Sequence, residues 1–86
     1  MANQQQVLVT SSQLGHILQT SRKAKRMSQS ALASKLVLSQ SRVSHLELHP
    51  EELSLNQLMN WCAVLGLELL VGVRGTHSNQ AAKADW

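Results

Sequence analysis

The sequence predicts a small, mostly α-helical domain with four to five helices and one strand near its C-terminal end. Four segments place apolar residues at helical spacing behind a hydroxyl residue that can cap a helix. The spacing changes to a period of two near residue 67, which indicates a strand. A chain of 86 residues has room for one domain of this kind.

The first helix is predicted over residues 12–26. Thr10, Ser11 and Ser12 offer caps, and Gln13 follows Thr10 at the spacing of a capping box. The apolar residues that then recur at helical intervals are Leu14, Ile17, Leu18 and Ala24.

Two short helices are predicted next, with a turn between them. Ser28 caps the second helix, which ends near Leu36, and Ser39 caps the third. The third helix runs to about Leu48, because Pro50 disfavours helical backbone at the residue before it. The apolar stripes of the two helices are formed by Leu32, Ala33, Leu36, Val43 and Leu46.

A fourth helix and the strand complete the predicted elements. Ser54 and Gln57 form a second capping-box pair, and Gly66 ends the helix where a left-handed residue is commonly needed. The strand covers residues 67–74. Its alternating apolar residues are Leu67, Leu69, Val71 and Val73.

The strand has no obvious partner within the chain. A single strand cannot satisfy its own backbone hydrogen bonds, and the chain offers no second strand of comparable quality. We therefore expect the strand to pair with its copy in a second subunit, antiparallel across a two-fold axis. The sequence thus predicts a homodimer in which Leu67, Leu69, Val71 and Val73 are dimerisation residues.

Charge divides the chain into two unlike halves. Residues 1–46 hold six Lys or Arg and no Asp or Glu, whereas residues 47–86 hold five acidic and two basic residues. The asymmetry suggests that the first half binds a polyanion, although a solvated basic face explains the charge alone equally well. The single Cys62 fits a reducing cytoplasm, and no apolar run has the roughly 20 residues needed to span a membrane.

No pattern in the chain indicates an enzyme, a cofactor or a small-molecule substrate. The sequence shows no acid–base pair, no nucleophile beside a base and no glycine loop for phosphate. His45 and His49 stand four residues apart, as metal ligands on a helix do. Pro50 takes His49 out of helical geometry, and no further Cys or His follows nearby, so we expect no metal site. Cys62 is expected to be an inert core thiol, and Trp61 to fill the core or the dimer interface.

The two short helices have the pattern of a DNA-binding helix-turn-helix. Burial of the apolar stripe leaves four hydrogen-bonding side chains on the outer side of the third helix, which are Gln40, Ser41, Ser44 and His45. The stretch MSQSALASKLVLSQSRVSHLE resembles the Xre/Cro-type helix-turn-helix of bacterial and phage repressors. The matching positions are Gln29, Leu32, Ala33, Val43, Ser44 and Glu47.

This resemblance implies a lambda-repressor-like domain that reads duplex DNA. In it, Gln40, Ser41, Ser44 and His45 face the bases of the major groove. The residues assigned to DNA phosphates are Ser28, Gln29, Ser39, Arg42 and Lys23. For Lys23, which belongs to a basic group at the end of the first helix, complementing the helix dipole is an equal alternative.

Two further positions follow from the same resemblance. Arg22 and Glu47 occupy the places of an arginine and a glutamate that pair in this family, so we expect an ion pair that locks the first and third helices together. Val37 stands where the family usually has glycine. Either the turn stays right-handed there, or Val37 adopts a strained left-handed conformation.

The C-terminal part is similar to that of HipB-type antitoxins, which pair with a HipA-type kinase. The similarity rests on the strand LELLVGVR after the helical core and on a polar tail that ends in Trp86. It implies a two-stranded lid across the dimer and a serine/threonine kinase toxin as partner. Trp86, on a flexible tether, is expected to anchor in a pocket of that partner, with a random end of a disordered tail as the alternative.

The sequence therefore predicts four regions and one main function. The regions are an N-terminal arm (1–9), a helix-turn-helix DNA-binding domain (10–66), a dimerisation strand (67–74) and a flexible tail (75–86). The expected protein is a cytoplasmic, nucleoid-associated homodimer that binds a palindromic operator and represses its own operon. Two alternatives stay open: a stand-alone Xre-like repressor without a toxin, and a protein-interaction or oligomerisation module.

Overall fold

A computed structural model describes residues 5–75 of the chain. Its helical elements are α1 (Ser11–Ala24), α2 (Gln29–Leu36), α3 (Gln40–Leu48), a 3-10 turn (Pro50–Glu52) and α4 (Leu55–Leu65). The mostly helical class and the four helices are confirmed. The one notable difference in bounds is the end of α1, which stops two residues before the predicted position.

The helices begin at the hydroxyl caps that the sequence predicts. The Thr10 hydroxyl accepts from the backbone N–H of Gln13, whose side-chain oxygen accepts from the backbone N–H of Thr10. Ser54 and Gln57 form the same reciprocal arrangement ahead of α4. Both pairs satisfy backbone donors that a helix start leaves without intrahelical partners.

A residue with left-handed backbone follows the end of three of the helices. These residues are Arg26, Val37 and Gly66, with φ of 56°, 60° and 75°. In each case the next backbone N–H donates to the carbonyl five residues earlier, at 2.8 to 3.1 Å, which is the Schellman arrangement. For Val37 this decides between the two alternatives: the turn is left-handed and a β-branched residue occupies it.

The core lies where the four helices meet. Its fully buried side chains are Leu18, Leu32, Val43, Leu46 and Trp61. Trp61 therefore belongs to the core, and its Nε1 has no hydrogen-bond partner among residues 5–75. Cys62 is buried beside it, and this burial raises the pKa of the thiol above its ordinary value.

Gly15 lets α1 pass close to the end of α3. A Cβ atom added at Gly15 would lie 2.6 Å from the backbone oxygen of Glu47 and 3.1 Å from the side chain of Pro50. Real Cβ atoms do not approach a backbone oxygen so closely. The missing side chain thus fixes the distance between these two helices.

The strand predicted over residues 67–74 has no regular secondary structure in the single described chain. Leu67 packs against the core, whereas Leu69 and Val71 are 41% and 94% exposed. Because a strand is defined by the hydrogen bonds of a partner, its pairing across a dimer stays a prediction. Trp86 and the rest of the predicted tail beyond residue 75 lie outside the described residues. Within residues 5–75, no helix has the length and apolar character to cross a bilayer.

Candidate nucleic-acid interface

A three-residue turn sets the geometry of α2 and α3. Val37 takes the left-handed conformation, and the backbone N–H of Leu38 donates to the carbonyl of Ala33 at 2.9 Å. Ser39 then caps α3. The chain therefore reverses sharply between the helices, which brings the start of α3 back toward the start of α2.

The two helix starts lie next to each other. Gln29 is the first residue of α2 and Gln40 the first of α3, and the side-chain nitrogen of Gln40 donates to the side-chain oxygen of Gln29 at 2.7 Å. The two amides come from positions eleven residues apart in the sequence. This hydrogen bond joins Gln29, which the resemblance assigns to phosphate, to Gln40, which it assigns to bases.

The hydroxyls of the two capping serines can donate to an anion that binds at the starts of α2 and α3. The Ser28 hydroxyl accepts from the backbone N–H of Ala31 at 3.0 Å, and the Ser39 hydroxyl accepts from that of Arg42 at 3.1 Å. A hydroxyl oxygen that accepts a bond still has its hydrogen to donate, for example to a phosphate oxygen. Neither helix has an acidic residue in its first turn, so the positive ends of both dipoles stay uncompensated.

Arg22 and Glu47 form a buried ion pair beneath the start of α2. Arg22 Nε donates to Glu47 Oε2 at 2.6 Å and Arg22 Nη2 donates to Glu47 Oε1 at 3.1 Å, so the pair is bidentate. Arg22 Nη1 also donates to the carbonyl of Met27 at 2.9 Å. Gln29 Nε2 donates to Glu47 Oε1 at 2.9 Å. The structure thus brings together the two residues that the sequence pairs, and it connects them to Gln29.

The outer side of α3 carries the remaining residues assigned to DNA. Ser41, Arg42 and His45 are exposed, and Ser44 is half-buried. The hydroxyls of Ser39 and Ser41 lie 3.3 Å apart. His45 already has a hydrogen-bond partner, because its Nε2 lies 2.8 Å from Oε1 of Glu52, which follows α3 in the chain.

Comparison with known families identifies the fold around these helices. A family described as a helix-turn-helix domain matches residues 1–74 of the chain. The chain belongs to this helix-turn-helix family. Comparisons with curated proteins and with solved structures gave no match.

Within the helix-turn-helix, α2 is the first helix of the motif and α3 the second. The second helix is the one that such domains place in the major groove. Lys23, on the last turn of α1, is exposed and shows no bond to an acidic group within the described chain. It remains available to a phosphate, and it also complements the negative end of α1.

The carboxylate that holds His45 belongs to Glu52, a residue that the sequence did not single out. The hydrogen bond from His45 is the main cause that lowers the pKa of Glu52 below its ordinary value. Nearby positive charge, including Arg42, adds to the lowering, and desolvation opposes it. Glu52 stands seven residues after His45 and beyond Pro50, so no helical spacing rule predicts their contact.

Proposed function

We propose that the chain is a sequence-specific repressor that binds duplex DNA through α3. The observation that carries this proposal is the pair of adjacent helix starts, which offers two amides and two cap hydroxyls and has no acidic residue in either first turn. Donors of this kind suit phosphate oxygens and base edges. Membership of the helix-turn-helix family supports the same function.

The proposal separates the side chains into two roles. Arg42 and Lys23 are exposed cations and would contact phosphates, which fixes the position of the domain on DNA. Gln40 and Ser41 are exposed at the start of α3 and would read bases, together with Ser44 and His45. Phosphate contacts strengthen binding to DNA of any sequence, whereas base contacts strengthen binding to the operator sequence alone.

An electrophoretic mobility shift with duplexes from the chain's own promoter tests these roles. Arg42→Ala should weaken binding to operator and unrelated duplexes alike, and should reduce the slope of log affinity against log salt by about one. Arg42→Lys keeps the charge and should keep the slope. Failure of the unaltered chain to shift any duplex would instead favour a protein-interaction module.

A second pair of variants tests base reading. Gln40→Ala should lower the preference for operator over unrelated DNA by about 1–3 kcal/mol and leave binding to unrelated DNA nearly unchanged. Asn60→Ala removes an exposed amide from α4, outside the helix-turn-helix motif, and should leave both affinities unchanged. Equal effects of the two variants would argue against base reading by α3.

We further propose that the repressor is a homodimer joined through the C-terminal segment. Leu69, Leu70 and Val71 expose 41%, 59% and 94% of their surface in the single chain. Consecutive exposed apolar residues of this kind are typical of a surface that another chain covers. Pairing of two such segments would satisfy their backbone groups and place two α3 helices about 34 Å apart on a palindromic operator.

Mass measurement by light scattering tests the dimer. Val71→Lys puts a charge at the proposed interface and should convert the dimer to a monomer. Val37→Lys changes another exposed valine, in the turn between α2 and α3, and should leave the mass unchanged. A monomeric unaltered chain at micromolar concentration would contradict the proposal.

The most specific part of the proposal is that this repressor is the antitoxin of a HipA-type kinase in the cytoplasm. It rests on the resemblance of the strand and tail to HipB-type antitoxins, since Trp86 lies beyond the described residues. Co-purification from the native host should recover a kinase with the full chain. Deletion of the last three residues should weaken that binding, whereas recovery of no kinase would favour the stand-alone repressor.

A further inference from the structure

Four side chains with metal-ligating atoms meet at the C-terminal end of α3. They are His45, His49, Glu51 and Glu52, and we call them the His–Glu cluster. His45 Nε2 lies 2.8 Å from Glu52 Oε1, and His49 Nδ1 lies 3.4 Å from Glu51 Oε2. Ligand atoms of His49, Glu51 and Glu52 all lie within 4.8 Å of one another.

The expectation of no metal site assumed that a third ligand would have to be another Cys or His. Carboxylates can also serve as ligands, and Glu51 and Glu52 lie beside the two histidines. His49 does leave helical geometry, with φ −128° and ψ 65°. Its departure nevertheless keeps the ring beside that of His45, with centroids 4.7 Å apart.

The backbone that carries the two carboxylates is fixed relative to α3. Pro50 is buried and starts the 3-10 turn. The backbone N–H of Glu52 donates to the carbonyl of His49 at 3.0 Å, and that of Leu53 donates to the carbonyl of Pro50 at 3.1 Å. The path of the backbone therefore brings the two carboxylates back toward the histidines.

The donor set and its spacing fit a late first-row divalent cation. Such ions accept imidazole nitrogen together with carboxylate oxygen. Zinc bonds of about 2.0 Å in tetrahedral geometry place neighbouring ligand atoms about 3.3 Å apart. His49 Nδ1 and Glu51 Oε2, at 3.4 Å, already have this spacing, and the ligand atoms of His49, Glu51 and Glu52 all lie within 4.8 Å of one another. His45 is hydrogen-bonded to Glu52 at the side of these three residues.

We propose that the His–Glu cluster binds a zinc-class divalent cation. The cluster offers imidazole nitrogens and two carboxylates, so one divalent ion would balance the charge of the carboxylates. The four side chains are between 43% and 53% exposed, which leaves an open path for the ion. This proposal does not depend on DNA binding, but an occupied site would hold His45 Nε2 away from the bases.

Calorimetric titration of the metal-free full chain with Zn²⁺ tests the proposal. We expect one ion per chain, and at least tenfold weaker binding for His49→Ala and for Glu52→Gln, because even an indirect ligand partner contributes about tenfold or more to affinity. Co²⁺ should give the visible absorption of a four-coordinate ion in the unaltered chain and lose it in His49→Ala. Far-ultraviolet circular dichroism checks that each variant is folded.

Two controls separate the cluster from general metal binding. His16→Ala removes an exposed histidine from α1 and should leave zinc affinity unchanged. Mg²⁺, which prefers all-oxygen sites, should bind far more weakly than Zn²⁺. Cys62 should not compete, because burial raises the pKa of its thiol and keeps it protonated. Unchanged zinc affinity in the His49 and Glu52 variants, or Mg²⁺ binding as tight as Zn²⁺ binding, would overturn the proposal.

Discussion

Replacement of Val37 by glycine should stabilise the domain. Val37 has φ 60° and ψ 46°, so its backbone is strained for a β-branched residue. Its side chain is 89% exposed and contributes little packing. A non-glycine residue in this conformation costs about 1–2 kcal/mol. Glycine removes that cost, while the extra freedom of the unfolded chain takes back about 0.4–1 kcal/mol. The midpoints of these two ranges leave an expected net gain of about 0.8 kcal/mol.

Thermal unfolding followed by circular dichroism measures this gain. For a domain of this size, such a gain raises Tm by roughly 2–8 °C. Both proteins must be compared at one concentration, because association makes Tm depend on concentration. An unchanged or lower Tm for Val37→Gly would refute the reasoning.

Gly66 offers the opposite experiment in the same structural setting. It ends α4 with φ 75°, and a Cβ atom added there would lie 3.4 Å from the Lys25 side chain, which is ordinary contact. Gly66→Ala should therefore lower stability by about 0.5–1 kcal/mol, because the backbone strain outweighs the reduced freedom of the unfolded chain. A stability change of the same sign in the Val37 and Gly66 variants would show that left-handed strain does not govern these turns.

Three further predictions concern the ion pair, the helix contact and pH. Arg22→Met leaves the buried carboxylate of Glu47 without its cation and should cost about 3–5 kcal/mol, measured by urea unfolding. Gly15→Ala should lower Tm, because its Cβ would meet the backbone oxygen of Glu47 at 2.6 Å and overpacking costs about 1–3 kcal/mol. Glu52 has a lowered pKa, so its bond to His45 adds stability above the ordinary value of 4.5 and loses it as pH falls through the folded value. Glu52→Gln should therefore be less stable than the unaltered chain near neutral pH and equally stable in acid.

Each of these predictions has a control or an excluding result. The double variant Arg22→Met, Glu47→Leu removes both charges and should recover much of the stability, since apolar replacement of a buried pair is often neutral. Unchanged thermal stability of Arg22→Met would show that the pair does not lock the helices. His16→Ala changes an exposed neighbour of Gly15 in the same helix and should not lower Tm. A pH-independent difference between the Glu52 variant and the unaltered chain would exclude the His45 bond as its cause.

The helices were predictable because their signals are local. Thr10 with Gln13 and Ser54 with Gln57 bond within one turn of chain, and a short window of sequence contains both partners. Gly66 ends α4 for an equally local reason. The strand predicted over residues 67–74 stays a prediction, since its formation would depend on backbone groups that lie far from this segment in sequence and, as we propose, in a second chain.

Much of the site depends on contacts between distant positions. The family resemblance assigned Gln29 and Gln40 to the DNA surface but did not predict the bond between them, because that bond depends on the left-handed turn at Val37. The contact of His45 with Glu52 depends in turn on the reversal at Pro50. A glycine inside a helix, such as Gly15, was a usable signal of close packing, since glycine there is otherwise unfavourable.

The buried ion pair has a clearer role in positioning than in stability. Taking two charges out of water offsets most of their attraction, so the net contribution of such a pair is small even though loss of one partner is costly. The pair is nevertheless the inner end of a hydrogen-bonded chain. Glu47 accepts from Arg22 and from Gln29, and Gln29 accepts from Gln40 at the surface. An apolar replacement would fill the same space but would leave the amide of Gln29 without its partner. The orientation of Gln40, which we propose reads a base, therefore follows from a carboxylate fixed in the core.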